Sequence, residues 1–189
     1  MKLYAYVIAG ILLVCSLPVA AWVFLKPVRI LAPEFNGVAC DESICVDQLS
    51  TIPLAKSLHA EAVRNIARKM TPIVSPPKTV FCSTQACYAS FGGGRERGLA
   101  ILDWGILIPP QSWQTYIVEH ELLHMLQAQE LGLLRRERTP AWFKEGLPFF
   151  ISAPPEIDLP DYAKPLVTKY RAWESQVGRE NVWTEARKL

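Results

Sequence analysis

The sequence predicts an α+β domain held behind an apolar N-terminal segment. Three observations carry this: an uncharged run from Leu3 to Leu25, helix-period apolar patterns, and short β-prone runs between them. A chain of 189 residues has room for one domain and an appendage, but a second full domain would be cramped. The formal net charge of +2 is too small to argue for nucleic acid or an acidic substrate. The densest basic stretch, Arg135-Arg136-Glu137-Arg138, reads as a solvated connecting loop. There is no internal repeat or low-complexity tract, and nothing in the sequence sets an oligomeric state.

Residues 1–25 are the predicted membrane anchor. The run 3–25 is long enough to span, since about 20 helical residues cross the hydrocarbon core. Pro18 does not prevent a span, because membrane helices tolerate proline. Lys2 flanks one end and Lys26 with Arg29 the other, so charge gives no orientation. Val19-Ala20-Ala21 offers a small-residue cleavage site, and cleavage there would give a secreted form instead of a single-pass one. Cys15 fits an acylation site poorly, with Val14 where a small residue is wanted.

Four cysteines follow in two pairs of equal spacing, Cys40/Cys45 and Cys82/Cys87. An even number behind an export signal predicts disulfides and an extracytoplasmic (periplasmic or extracellular) domain. Three connectivities are open. The rival is a four-cysteine zinc site, against which stand the spacing and the lack of flanking turn glycines.

Residues 26–52, with Pro27, Pro33 and Asn36-Gly37, read as an irregular lead-in. Leu54, Leu58, Ala62 and Ile66 recur every four residues and predict a helix over 53–70. Residues 78–82 (KTVFC) predict a strand, and 92–98 (GGGRERG) a flexible loop. Residues 99–103 and 106–108 predict a tight hairpin or bulged strand around Trp104-Gly105. The next helix runs from an N-cap at Ser112 to about Glu130. Thr139-Pro140 predicts another start, a capping hydroxyl followed by proline at the first helical position. A last amphipathic helix covers about 162–176, with Leu166, Tyr170 and Trp173 on one side.

The chemistry concentrates in His120-Glu121-Leu122-Leu123-His124. Two histidines four apart leave one helix face a turn apart, so both rings can reach one cation. Glu121 lies beside them, able to take a proton from a water at that cation without being a ligand. The bland alternative is a helix with Glu119 and Glu121 outward and Leu122, Leu123 and Leu126 inward. A hydrolytic zinc site needs a third protein ligand and one open position. Glu130 and Glu137 are candidates by proximity, but Glu130 points elsewhere on the same rigid helix and Glu137 sits among arginines. Glu145, on a second helix after a turn, is better placed. Tyr162, Tyr170 and His59 are candidate donors to an oxyanion, and nothing in the sequence selects one.

The motif followed by Pro140-Ala141-Trp142-Phe143-Lys144-Glu145-Gly146 resembles the glutamate-ligand zincins, and more narrowly the compact "peptidase MA-like" domains. The resemblance covers roughly residues 78–151. It implies a small mixed sheet packed on the HExxH helix and a following ligand helix, within a metallopeptidase domain over 53–189. It implies one Zn2+ per chain held by His120, His124 and Glu145, Glu121 as general base, and a peptide or protein substrate. The strand near 99–108 would be the edge along which an extended substrate lies. Two departures stand out: Phe149 replaces the acidic residue that larger members often place four after the ligand glutamate, and Pro148 interrupts the second helix. The alternatives are an inactive zinc-binding scaffold tethered to the membrane, and a membrane-associated assembly factor that binds no metal.

Overall fold

Short runs of β-branched and aromatic residues pair into one sheet in the computed structural model, which describes residues 20–189. Its strands are β1 (Ala39–Asp41), β2 (Ile44–Val46), β3 (Lys78–Phe81), β4 (Leu99–Ile101) and β5 (Gly105–Ile108). Their spatial order is β1-β2-β3-β5-β4. β2, β3 and β5 are parallel, and each edge strand is the antiparallel arm of a hairpin. The sheet is mixed and the domain α+β, as expected. Of the 99–108 hairpin only β4 is an edge strand; β5 is internal.

Successive side chains of a strand point to opposite faces, and here both faces of the inner strands are covered. Ile44, Val46, Phe81, Ile106 and Ile108 belong to one apolar cluster, which includes residues of the helices α1 (Ile52–Lys69) and α3 (Thr115–Leu131). Cys45, Val80 and Leu107 belong to a second cluster with Ile30, Val38 and Tyr88, the last from the short helix α2 (Gln85–Ser90). A strand buried on both sides needs apolar residues at every position, which is why Gly105–Ile108 shows no alternation. The remaining helices are α4 (Leu133–Arg138), α5 (Ala141–Lys144), α6 (Gly146–Ser152), α7 (Ala163–Val177) and α8 (Val182–Ala186).

Several expectations need correction. The stretch read as an irregular lead-in supplies β1 and β2, which are too short for an alternating pattern to show. Cys40 and Cys45 face each other across that hairpin and are disulfide-bonded, and Cys82 is bonded to Cys87. The cysteines therefore form no zinc site. Ser112 caps nothing: it ends a tight turn, and α3 opens at Thr115 after Gln114. The Thr139 hydroxyl donates back to the Arg136 carbonyl at 2.6 Å, and Pro140 takes the N-cap place. The basic stretch read as a loop is the end of α4, and Arg136 within it is buried. Most of the apolar run 3–25 lies outside the described residues. Among the described residues, no helix is long and apolar enough to cross a membrane.

α1 buries His59, and its Nε2 has no partner among the described residues. Burial pushes its pKa down to about 4. The unfolded chain protonates near pH 6.5 and the folded chain does not, so the unfolded state binds more protons between these values. The contribution is full above pH 6.5 and is lost as the pH falls towards 4. Between pH 7 and pH 5 wild type is expected to lose about 2 kcal/mol from this group, read from urea midpoints. His59→Leu should flatten that acid limb; an unchanged limb would refute the assignment.

Candidate metal centre

His120 and His124 lie one turn apart on α3, and their Nε2 atoms are 3.2 Å apart. Glu145 Oε2 lies 3.8 Å from the first and 3.6 Å from the second. Donors about 2.0–2.1 Å from a tetrahedral zinc ion are roughly 3.4 Å from one another. The three atoms thus have the spacing of three corners of such a shell, and His120, His124 and Glu145 could hold a metal ion.

A break in the helix puts Glu145 there. α5 ends at Lys144 and α6 begins at Gly146, with Glu145 at the joint (φ −100°, ψ −35°). Pro148 sits in the first turn of α6, where a missing N–H costs nothing, but it leaves the Lys144 carbonyl without its usual partner. Gln127 supplies one, its Nε2 donating to the Lys144 carbonyl at 3.1 Å and to the Phe143 carbonyl at 3.0 Å. Gly146 allows close packing against α7: a Cβ there would lie 2.5 Å from the Leu166 carbonyl oxygen.

Gln127 also fixes a histidine. Because its Nε2 faces two carbonyls, its Oε1 is the atom 3.2 Å from His124 Nδ1. That oxygen can only accept, so Nδ1 carries the hydrogen and the Nε2 lone pair faces the site. His120 is held differently, its ring centroid 4.3 Å from that of Phe149. The position where an acidic partner was expected therefore packs against the histidine instead.

Glu121 is buried, and burial pushes its carboxyl up to about 7, with His124 pulling it down and Glu145 pushing it further up. Burial, helped by His124, pushes His120 down to about 3. Burial also lowers His124, but the Glu145 hydrogen bond and the Glu121 charge outweigh it and the net shift is upward. Burial alone would raise Glu145, yet the two histidines hold it below the usual range. The loop before β4 makes room for Glu121: a Cβ on Gly98 would fall 2.5 Å from its Oε1. This loop, read only as flexible, carries a steric requirement.

These groups line an open cleft of about 520 Å³ between β4 and the segment after α6. Arg97 bridges its walls, donating to Tyr116 Oη at 2.7 Å and to the Asp158 carbonyl at 3.1 Å, while Tyr116 Oη donates to Asp158 Oδ2 at 2.8 Å. Of the candidate oxyanion donors only Tyr162 lines the cleft. Tyr170 is fully buried against Gly146, and His59 lies on α1. Glu130 pairs with Arg187, and Glu137 with Lys144, so neither joins the histidines. Glu119, outward in the bland alternative, is buried and paired with Lys69 at 2.9 Å.

The sequence reading missed Gln127, Gly98 and Arg136. Gln127 was legible in principle, three residues after His124 on the same face. Arg136 follows Leu133 and precedes Thr139 at a spacing of three, a short inward stripe hidden among charges.

Replacing Gln127 with Leu removes the hold on His124 and leaves two carbonyls unpaired. Metal affinity of Gln127→Leu is expected to fall about 10- to 100-fold, measured by chelator competition on protein whose circular dichroism matches wild type. Unchanged affinity would show that His124 needs no such support.

Compared with protein-family models, curated proteins and solved structures, the chain matches none.

Proposed function

We propose that the protein is a membrane-anchored zinc-dependent metallopeptidase with a zincin-like domain. The observation that carries this is the convergence of His120 Nε2, His124 Nε2 and Glu145 Oε2, beside the buried Glu121, in one open cleft. Two neutral imidazoles and a carboxylate suit zinc, and His124 presents the tautomer a ligand requires. When bound, zinc would supply Lewis acidity, polarising a carbonyl and acidifying a water.

The chain's own residues then have separate tasks. Glu121, with its affinity for a proton raised by burial, takes the proton of the attacking water and returns it to the leaving amine. Of the candidate oxyanion donors, Tyr162 is the one whose hydroxyl can serve a developing oxyanion in the cleft. The outer edge of β4 is unpaired among the described residues, and an extended peptide can add to such an edge through main-chain hydrogen bonds. The two disulfides fit an oxidising compartment, and with the apolar run 3–25 support an extracytoplasmic domain tethered by its N-terminus.

The purified full chain should hold one zinc per chain by elemental analysis. Glu145→Ala should lose that zinc. Glu121→Gln should keep it while cleaving a peptide library about 10²- to 10⁴-fold more slowly than wild type. Zinc binding without any cleavage would instead favour an inactive scaffold. Identical cleavage maps for wild type and Glu121→Gln would exclude Glu121 as the base.

A further inference from the structure

α4 turns one arginine into the same cleft as the metal-binding triad. Arg136 is 9 % exposed and lines the cleft beside Glu121 and His124. Its neighbours Arg135 and Arg138 are exposed, so it alone of the basic run is buried. A guanidinium has five N–H donors, yet among the described residues none makes a hydrogen bond. Nε has no partner, and the one ion pair is a 3.7 Å approach of Nη1 to Glu137, a side chain 59 % exposed. Glu137 lies closer to Lys144, at 3.2 Å.

A buried charge is costly unless a partner compensates it, so a buried guanidinium whose Nε has no partner requires an explanation. Arg97, which also lines the cleft, shows the contrast: it is more exposed, yet both its Nη atoms are engaged by Asp158 or Tyr116.

Charge balance points the same way. With a divalent cation at His120, His124 and Glu145, the carboxylates of Glu145 and Glu121 balance its two positive charges. Of the other charges lining the cleft, Arg97 is paired with Asp158 and Arg95 is matched in number by Glu96, so Arg136 leaves one positive charge over. Arg136 lines the cleft together with Glu121 and His124, so the unbalanced charge faces the site.

We infer that Arg136 is the receptor for a carboxylate of the peptide substrate, held by the guanidinium where it lines the cleft. Planar two-point pairing with a carboxylate is the interaction this side chain is shaped for. The carboxylate is the C-terminus of the substrate or an acidic side chain next to the scissile bond, and the two share this chemistry. The inference rests on the peptidase reading above and adds the class of substrate.

The test uses three peptide hydroxamates of one backbone, which grip zinc identically. One ends in alanine with a free carboxylate, one in alanine amide and one in aspartate amide. Binding to the zinc-loaded full chain in detergent is measured by calorimetry at pH 7. At least one of the two carboxylate probes should bind wild type at least tenfold more tightly than the alanine amide, and which one does so identifies the source of the carboxylate. In Arg136→Gln that preference should fall to within about twofold while the alanine amide keeps its affinity, and Arg136→Lys should retain part of it. Equal binding of all three probes to wild type would overturn the inference and leave the peptidase reading standing, and this comparison needs no variant to fold. A preference that survives Arg136→Gln would also overturn it. Failure of every probe to bind a zinc-containing chain would remove the peptidase reading, and the inference with it.

Discussion

A helix buried on nearly every side can carry polar residues only where each has a partner, and α3 is such a helix. Its ends explain little; its middle determines what is placed around it. Glu119 is answered by Lys69, which also donates to the Ile151 carbonyl, and by Asn65. One buried carboxylate thereby joins α1, α3 and α6. His124 is answered by Gln127, and Gln127 by the two carbonyls before Glu145. His120, His124 and Glu121 remain, and these are the groups the cleft exposes to one another.

The break at Glu145 follows from the same accounting. A continuous helix through 141–152 would need an N–H at position 148, and proline has none. The chain divides into α5 and α6 instead, and the carbonyl left over is bonded from α3. What looks in the sequence like damage to a ligand helix is thus a second attachment between the ligand and the helix bearing the histidines. Gly146 completes the joint by letting α7 approach where a Cβ would collide.

The sequence made some of this legible and hid the rest for physical reasons. The long helices α1 and α7 were readable because apolar periodicity extends over several turns; α3 was readable from Gly132 at its end, although its expected cap, Ser112, is not the one used. The hairpin β4–β5 was readable from its apolar runs. The hairpin β1–β2 was not, since strands of three residues separated by a charged turn hold no period. The approach of His120, His124 and Glu145 was expected from spacing and resemblance together. Gln127 and Arg136 escaped because their roles depend on what lies across from them. A glutamine in a helix and an arginine in a basic run look like solvated residues until the packing is known. Phe149 was noticed only as an absent acid, when its ring packs on His120.

The electrostatics of the cleft give a reason for a cation at its centre. Burial raises the affinity of Glu121 for a proton, whereas the histidines beside Glu145 hold it ionised against its own burial. His124 answers them by holding a proton more firmly, while His120, buried next to it, is denied one. A single proton shared on this side of the site cannot satisfy two carboxylates and two rings at once. A divalent cation can, since it accepts both ring lone pairs and compensates both carboxylates while displacing the proton. The protein has already met the structural cost of gathering these donors by burying them together. A metal ion would relieve the resulting conflict in charge, and Arg136, which lines the same cleft, would carry the charge that remains.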